Sequence, residues 1–383
     1  MTTDSGARGG ARVWQRASLR PMFGVPLLPR TLEAALRDLG ATKPGVRAEA
    51  VRDLARHAGD TRDPVIRGLE RALRDEAAPV RAAAATALAD TRAVEALPAL
   101  LVAVEDDDAL VRQMAICALG EIGDPRATER LRRALGDARA EVRFQAVIAF
   151  PRVTASPDAA VEALLEATRD EDPLVCHVAL RMAEEVCQGE VDPRFVVRAR
   201  ALLEHASGEV RVASALLMAP GDARAEAVLV GVSRGDIKTR DREDEAAAIE
   251  LAGALALDEA RSGLERRAFG GFLGVGKDPF AWHARVALAR MGDARACREI
   301  LGELSSSDRD RRTLAVAAAG RARLHAACER ITAMRGDEGR ADPDAVAEAL
   351  ATLAPNASPN APNAPNAPNA PNAPNAPNAP APS

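Results

Sequence analysis

Apolar residues recur at helical spacing along the middle of the chain, and one short pattern keeps returning. It reads Ala78-Pro79-Val80-Arg81-Ala82-Ala83-Ala84, then Ala109-Leu110-Val111-Arg112-Gln113-Met114-Ala115, then Ala140-Glu141-Val142-Arg143-Phe144-Gln145-Ala146. The valines fall at 80, 111 and 142, a period of 31 residues. Looser copies begin at Val46-Arg47, Val175-Cys176 and Val210-Arg211. The pattern blurs and then returns, as Asp278-Pro279 leading to Ala284, Ala287 and Leu288, and as Arg312 leading to Ala315 and Ala318. A repeat of this length is one supersecondary unit that buries its apolar face only by stacking on its neighbours.

Each unit reads as two helices. In the copy starting at Leu110, the first helix is expected to run to Ile122, with Val111, Ala115, Ala118 and Leu119 inward. Gly123 is placed to end it in a left-handed conformation. Asp124 then caps a second helix, and Pro125 occupies its first turn, where a missing N–H costs nothing. Ala127, Leu131 and Leu135 would face inward there, and Arg126, Glu129, Arg130, Arg132 and Arg133 would face water or a partner. Asp137 closes the unit, and Gly221-Asp222 and Gly292-Asp293 repeat the stop-and-cap signal.

Composition fits this picture. Seven Phe, two Trp and no Tyr leave only 2% aromatic residues in 383. Alanine takes their place, so each inward side chain contributes little area and contacts must be close and many. That disfavours a sandwich or barrel rich in β-branched and aromatic residues. Only Lys43, Lys238 and Lys277 are lysines; the other basic residues are Arg, which with the Ala excess suggests a GC-rich, bacterial genome.

The motifs Pro79-Val80-Arg81…Ala84…Ala87-Leu88 and Val111-Arg112…Ala118-Leu119-Gly120-Glu121-Ile122-Gly123-Asp124-Pro125-Arg126-Ala127 resemble the HEAT-repeat family, in its short phycobilisome-lyase-like form. The resemblance covers roughly residues 31–353; residues 150–270 match poorly and leave the curvature there open. It implies an all-α, right-handed α-solenoid of HEAT-like helix pairs, used as a protein-interaction scaffold. It also implies an alternative, an accessory enzyme of bilin-lyase or hydroxylase type.

The Arg after each Val is expected to form a structural ladder of Arg47, Arg81, Arg112, Arg143 and Arg211. Acidic turns precede these residues, and an Arg fork satisfies a turn's carboxylate or carbonyls. Cys176 interrupts the series and leaves one rung without a cation. Arg126, Arg130 and Arg133 on a second helix are candidates for contact with an unidentified protein partner. So are Phe269, Phe272 and Leu273, in a Gly-rich stretch read as a loop over residues 268–277. Those apolar side chains either tuck under the array or meet a partner.

Enzymatic motifs fail on their own chemistry. Gly271-Phe272-Leu273-Gly274-Val275-Gly276-Lys277-Asp278 matches GxxxxGK, but Asp replaces the Ser or Thr that holds magnesium, and a helix rather than a strand precedes it. The histidines His57, His177, His205, His283 and His325 are each followed by Ala or Val, so the His-Glu pairs of the di-iron hydroxylase in this family are missing. No metal or cofactor is expected. Five scattered cysteines, Cys117, Cys176, Cys187, Cys297 and Cys328, lack disulfide or zinc spacing and suit a reducing cytoplasm.

Charge and the chain ends complete the reading. Residues 1–30 carry five Arg against Asp4 and read as a disordered basic leader, or as sequence upstream of a start at Met22. From Pro359 the unit Pro-Asn-Ala repeats, which forbids helix and favours a solvated polyproline spacer over residues 354–383. The net charge is −5, and the leader's excess of +4 leaves −9 on the array. That opposes nucleic acid, for which Trp282 would be the stacking candidate. No apolar run approaches the ~20 residues of a membrane helix.

Overall fold

A computed structural model describes residues 29–187, 191–270 and 278–354. Residues 1–28 of the leader, the tail from residue 355, Phe272, Leu273 and Lys277 lie outside the described residues. Arg30, expected in the disordered leader, instead pairs with Asp38 and Asp53 at 3.0 and 2.8 Å. Among the described residues every regular element is helical. The chain divides after Val153 into two units.

Unit 1 holds α1 (Leu32–Asp38), α2 (Pro44–Ala55), α3 (Arg62–Ala72), α4 (Ala78–Asp90), α5 (Leu97–Ala103), α6 (Ala109–Ile122), α7 (Thr128–Ala134) and α8 (Ala140–Val153). Unit 2 holds α9 (Pro157–Ala167), α10 (Pro173–Cys187), α11 (Pro193–Leu202), α12 (Gly208–Met218), α13 (Ala223–Arg234), α14 (Arg242–Ala254) and α15 (Arg261–Phe269). It continues with α16 (Ala281–Arg290), α17 (Ala294–Glu303), α18 (Arg309–Arg321), α19 (Cys328–Thr332) and α20 (Pro343–Leu353). Helix pairs therefore continue across residues 150–270, where the sequence pattern blurs.

Within each unit the first helices, even-numbered here, pack directly on one another, and each odd-numbered helix packs against the first helix that follows it. Alanine and valine make this close layer possible. Val80, Val111, Val142, Ala84, Ala115 and Ala146 are all buried, as is Leu119. Gly253 shows how tight the layer is, because a Cβ added there would sit 2.3 Å from the Ala287 Cα.

The caps follow the sequence. Gly123 ends α6 at φ 70°, and the Asp108 side chain accepts from the Leu110 and Val111 N–H groups at its start. Asp222 and Asp293 cap α13 and α17 in the same way. The second helix after Asp124 differs in detail. Pro125–Ala127 forms a 3-10 turn before α7, and Leu135 is its half-buried C-cap. The stretch read as a loop from 268 also begins later, since Ala268 and Phe269 are the last two residues of α15.

Candidate functional site

The Arg ladder forms, with its carboxylates on the other side from the one expected. Arg112 Nη1 donates to the Asp106 and Asp107 carbonyls of the preceding turn at 2.8 and 3.2 Å. Its Nε and Nη2 donate to Asp137, in the following turn, at 2.8 and 3.0 Å. Arg47 repeats this with Asp75, and Arg81 with Asp106. Each Arg thus joins two successive turns, taking carbonyls from the first and a carboxylate from the second. Burial pushes the Asp137 carboxyl up, but the Arg112 fork and the Arg139 N–H outweigh it and hold it below the usual range. Asp75 and Asp106 are lowered against burial by Arg47 and Arg81 in the same way.

The later rungs vary. Arg143 keeps its bond to the Asp137 carbonyl at 2.9 Å. Arg211 reaches the His205 carbonyl at 3.1 Å, while its buried Nε has no partner among the described residues. At Cys176 both ends of the rung change. His205 stands where Asp106 and Asp137 stand in other turns, its Nδ1 accepting the Ser207 N–H at 3.1 Å. The missing cation therefore leaves no turn aspartate unmatched. Cys176 donates to the Thr168 carbonyl, and Arg198 from α11 bonds that same oxygen at 2.8 Å. Burial pushes the Cys176 thiol up to about 11, so it stays protonated and unreactive.

The candidate partner residues separate. Arg126 folds back on its own cap, Asp124, which it lowers to about 2. Arg130 and Arg133 on α7 both reach Glu105, in the turn after α5. Phe269 is packed against the core of unit 2 with the Arg295 guanidinium 3.9 Å from its ring centre. It is a helix-end packing residue.

What α5 presents was not anticipated. Its sequence, Leu97-Pro98-Ala99-Leu100-Leu101-Val102-Ala103, contains no polar side chain. Val94, Pro98 and Val102 are exposed, Val102 at 73%. They recur every four residues, and Glu95, Glu105, Arg130 and Arg133 flank them in sequence or through the Glu105 ion pairs.

Two ionic clusters in unit 2 also escaped the sequence reading. Asp244 is 1% exposed, three residues after the cap Asp241, at the register where α6 carries Val111. Its Oδ2 lies 2.7 Å from His177 Nε2. Its Oδ1 lies 3.2 Å from Arg181 Nε, too poorly aligned for a hydrogen bond. Burial pushes the nearby Glu184 carboxyl up; Arg181 opposes this and Asp244 adds to it. His177, Asp241 and Asp244 place ligand atoms within 4.8 Å of one another, a donor set suited to a divalent ion. Arg181 already supplies a cation at Asp244, so the arrangement reads as an ion-pair triad. In the second cluster Glu250 Oε1 receives His283 Nδ1 at 2.6 Å and Arg321 Nη1 at 2.8 Å.

Residues 66–150, spanning α4 to α7 and most of α3 and α8, match the family model described as HEAT repeats. The chain carries HEAT repeats. Helix pairs also occur on both sides of that match. Among solved structures, the phycocyanin lyase complex of CpcE and CpcF from Nostoc sp. PCC7120 is similar at 19% identity, covering 74% of this chain and 98% of that one, with a TM-score of 0.36. An engineered protein is similar at 18% identity, covering 84% of this chain and 98% of its own, with a TM-score of 0.35. Importin beta aligns at 15% identity over 84% of this chain and 46% of its own, with a TM-score of 0.40. No curated protein matches the chain in sequence. Among the described residues, no helix of the HEAT array is long and apolar enough to cross a membrane.

Proposed function

We propose that the protein is a non-catalytic scaffold that binds another protein along second-helix surfaces of its HEAT array, with α5 and α7 as the principal contact. The strip of Val94, Pro98 and Val102 carries this reading. The exposed face of a surface helix is normally polar, whereas α5 has no polar residue to turn outward. An apolar centre with charges around it is the usual anatomy of a protein interface. Arg130 and Arg133 would form part of the charged edge, with Arg126 beyond them. Phe269, half-buried at the end of α15, lies apart from this strip. The five unpaired thiols suit a reducing compartment such as the cytoplasm.

Affinity capture from the native host, repeated with Val102→Asp, tests the assignment. Partner recovery should fall at least tenfold, as for a charge placed in a desolvated interface centre, with the melting temperature unchanged because Val102 is exposed. Equal recovery by both proteins would refute α5 as the contact. A bound chromophore, bound iron or turnover in the purified protein would support an accessory enzyme instead.

A further inference from the structure

Between α4 and α6, unit 1 holds a cavity of about 360 Å³ that opens to solvent. Ala89, Met114 and Cys117 supply its apolar lining, and Thr86, Asp90 and Glu121 line it with acceptors. The Thr86 hydroxyl donates to the Ala82 carbonyl at 3.0 Å, so its oxygen is still able to accept. Asp90 is exposed and makes no hydrogen bond or ion pair among the described residues. It is the last residue of α4, and Glu121 is the last but one of α6. Helix C-termini carry partial negative charge, so a carboxylate there is unfavourable until a cation meets it. Glu121 receives Arg152 at 2.9 Å. Arg92, also in the lining, lies 3.9 Å from Glu121, beyond hydrogen-bond reach, and forms no ion pair with Asp90. Burial pushes the Cys117 thiol up, Glu121 and Asp90 add to this against Arg152, and the thiol contributes no anion of its own.

We propose that this cavity takes a lysine side chain from an extended segment of a partner protein, its ammonium meeting Asp90, Glu121 and Thr86. An ammonium has three donors and no acceptor, which matches a lining rich in acceptors. Its aliphatic stem can lie along Ala89 and Met114 while the charged head stays at the polar edge. Leu110 fixes what stands beside the lysine. It is 53% exposed and lies one helical turn before Met114, about 6 Å along α6. Alternate residues of an extended chain face the same way and lie about 6.6 Å apart. An apolar residue two positions from the lysine therefore reaches Leu110 while the lysine fills the cavity. The site lies on α4 and α6 and does not rest on the assignment of α5.

Fluorescence anisotropy with a labelled peptide, leucine-alanine-lysine-alanine-leucine, tests this on the full chain. The wild type should bind it, and the same peptide with norleucine for lysine should bind about tenfold or more weakly, as expected for loss of a charge-assisted bond. Asp90→Asn keeps the shape and should weaken binding of the lysine peptide by a similar factor. Its melting temperature should hold or rise, since a carboxylate leaves a helix C-terminus. Cys117 reports on the cavity independently. Peptide mapping after iodoacetamide treatment should show Cys117 alkylated several-fold more slowly when the lysine peptide is bound, with Cys187, Cys297 and Cys328 unaffected. Absence of wild-type binding, equal binding by Asp90→Asn or of the norleucine peptide, a Cys117 that the peptide does not protect, or equally tight binding of lysine amide alone would each overturn the proposal.

Discussion

At the scale of single residues, the ladder ties stability to pH. Asp75, Asp106 and Asp137 have folded pKa values below the ordinary carboxylate range. A group lowered on folding adds stability that is fully present above its unfolded pKa, about 4, and is lost as pH falls through the folded value. Stability measured by urea unfolding should therefore drop below about pH 4. Asp137→Asn should be less stable than the wild type at pH 7 and lose less on acidification; parallel pH profiles would deny Asp137 this role. The Asp244 triad answers to a different rule. Asp244→Asn keeps the shape but leaves His177 and Arg181 without their carboxylate, and should cost about 1–3 kcal/mol. The triple change Asp244→Val, His177→Leu and Arg181→Met should be much nearer neutral, because apolar groups replace a buried ionic cluster well when no charge is left behind. Zinc in excess should leave the wild-type melting temperature unchanged. A zinc-dependent rise that His177→Leu removes would show that the group takes a metal.

Helices and their contacts show how far the chain alone can be read. The repeat, the inward valines, the Gly123 stop and the Asp caps were legible because they are local: spacing fixes a helix face, and a cap acts over two or three residues. The Arg ladder was half legible. Its carbonyls lie five or six residues upstream of the Arg, but its carboxylates lie 25 to 28 residues downstream and meet it only once units stack. The ionic clusters were hidden for the same reason, with His177 67 residues from Asp244 and His283 33 from Glu250. One signal was present in the sequence. Asp244 holds a register that elsewhere belongs to a buried Val, and an acid there requires a partner. Close packing was expected from the alanine content, but the contact at Gly253 was beyond reach, because glycine there reads as a weak helix former. In the array it is the point where α14 meets α16. Gly253→Ala should improve intrinsic helix propensity by about 1 kcal/mol, yet lower overall stability by about 1–3 kcal/mol because the new methyl meets the Ala287 backbone. A net gain in chemical denaturation would mean that α16 has room to move away.

At the scale of the whole molecule, each unit is built from helices that meet mainly their near neighbours in sequence order. Each pair buries its apolar side chains against its neighbours, so energies should sum over adjacent interfaces and defects should stay local. Leu119 lies fully buried in α6, among the contacts that join α4, α6 and α8. Leu119→Ala removes that side chain and should cost about 2–5 kcal/mol. Hydrogen exchange would show where the loss is felt, since local opening follows local contact energy. Amides in α4, α6 and α8 should exchange faster, while those in α16, α18 and α20 keep their wild-type protection. Uniform acceleration along the chain would mean that the array unfolds as one cooperative body. Undisturbed exchange in α6 itself would mean that Leu119 lies outside the helix–helix contact.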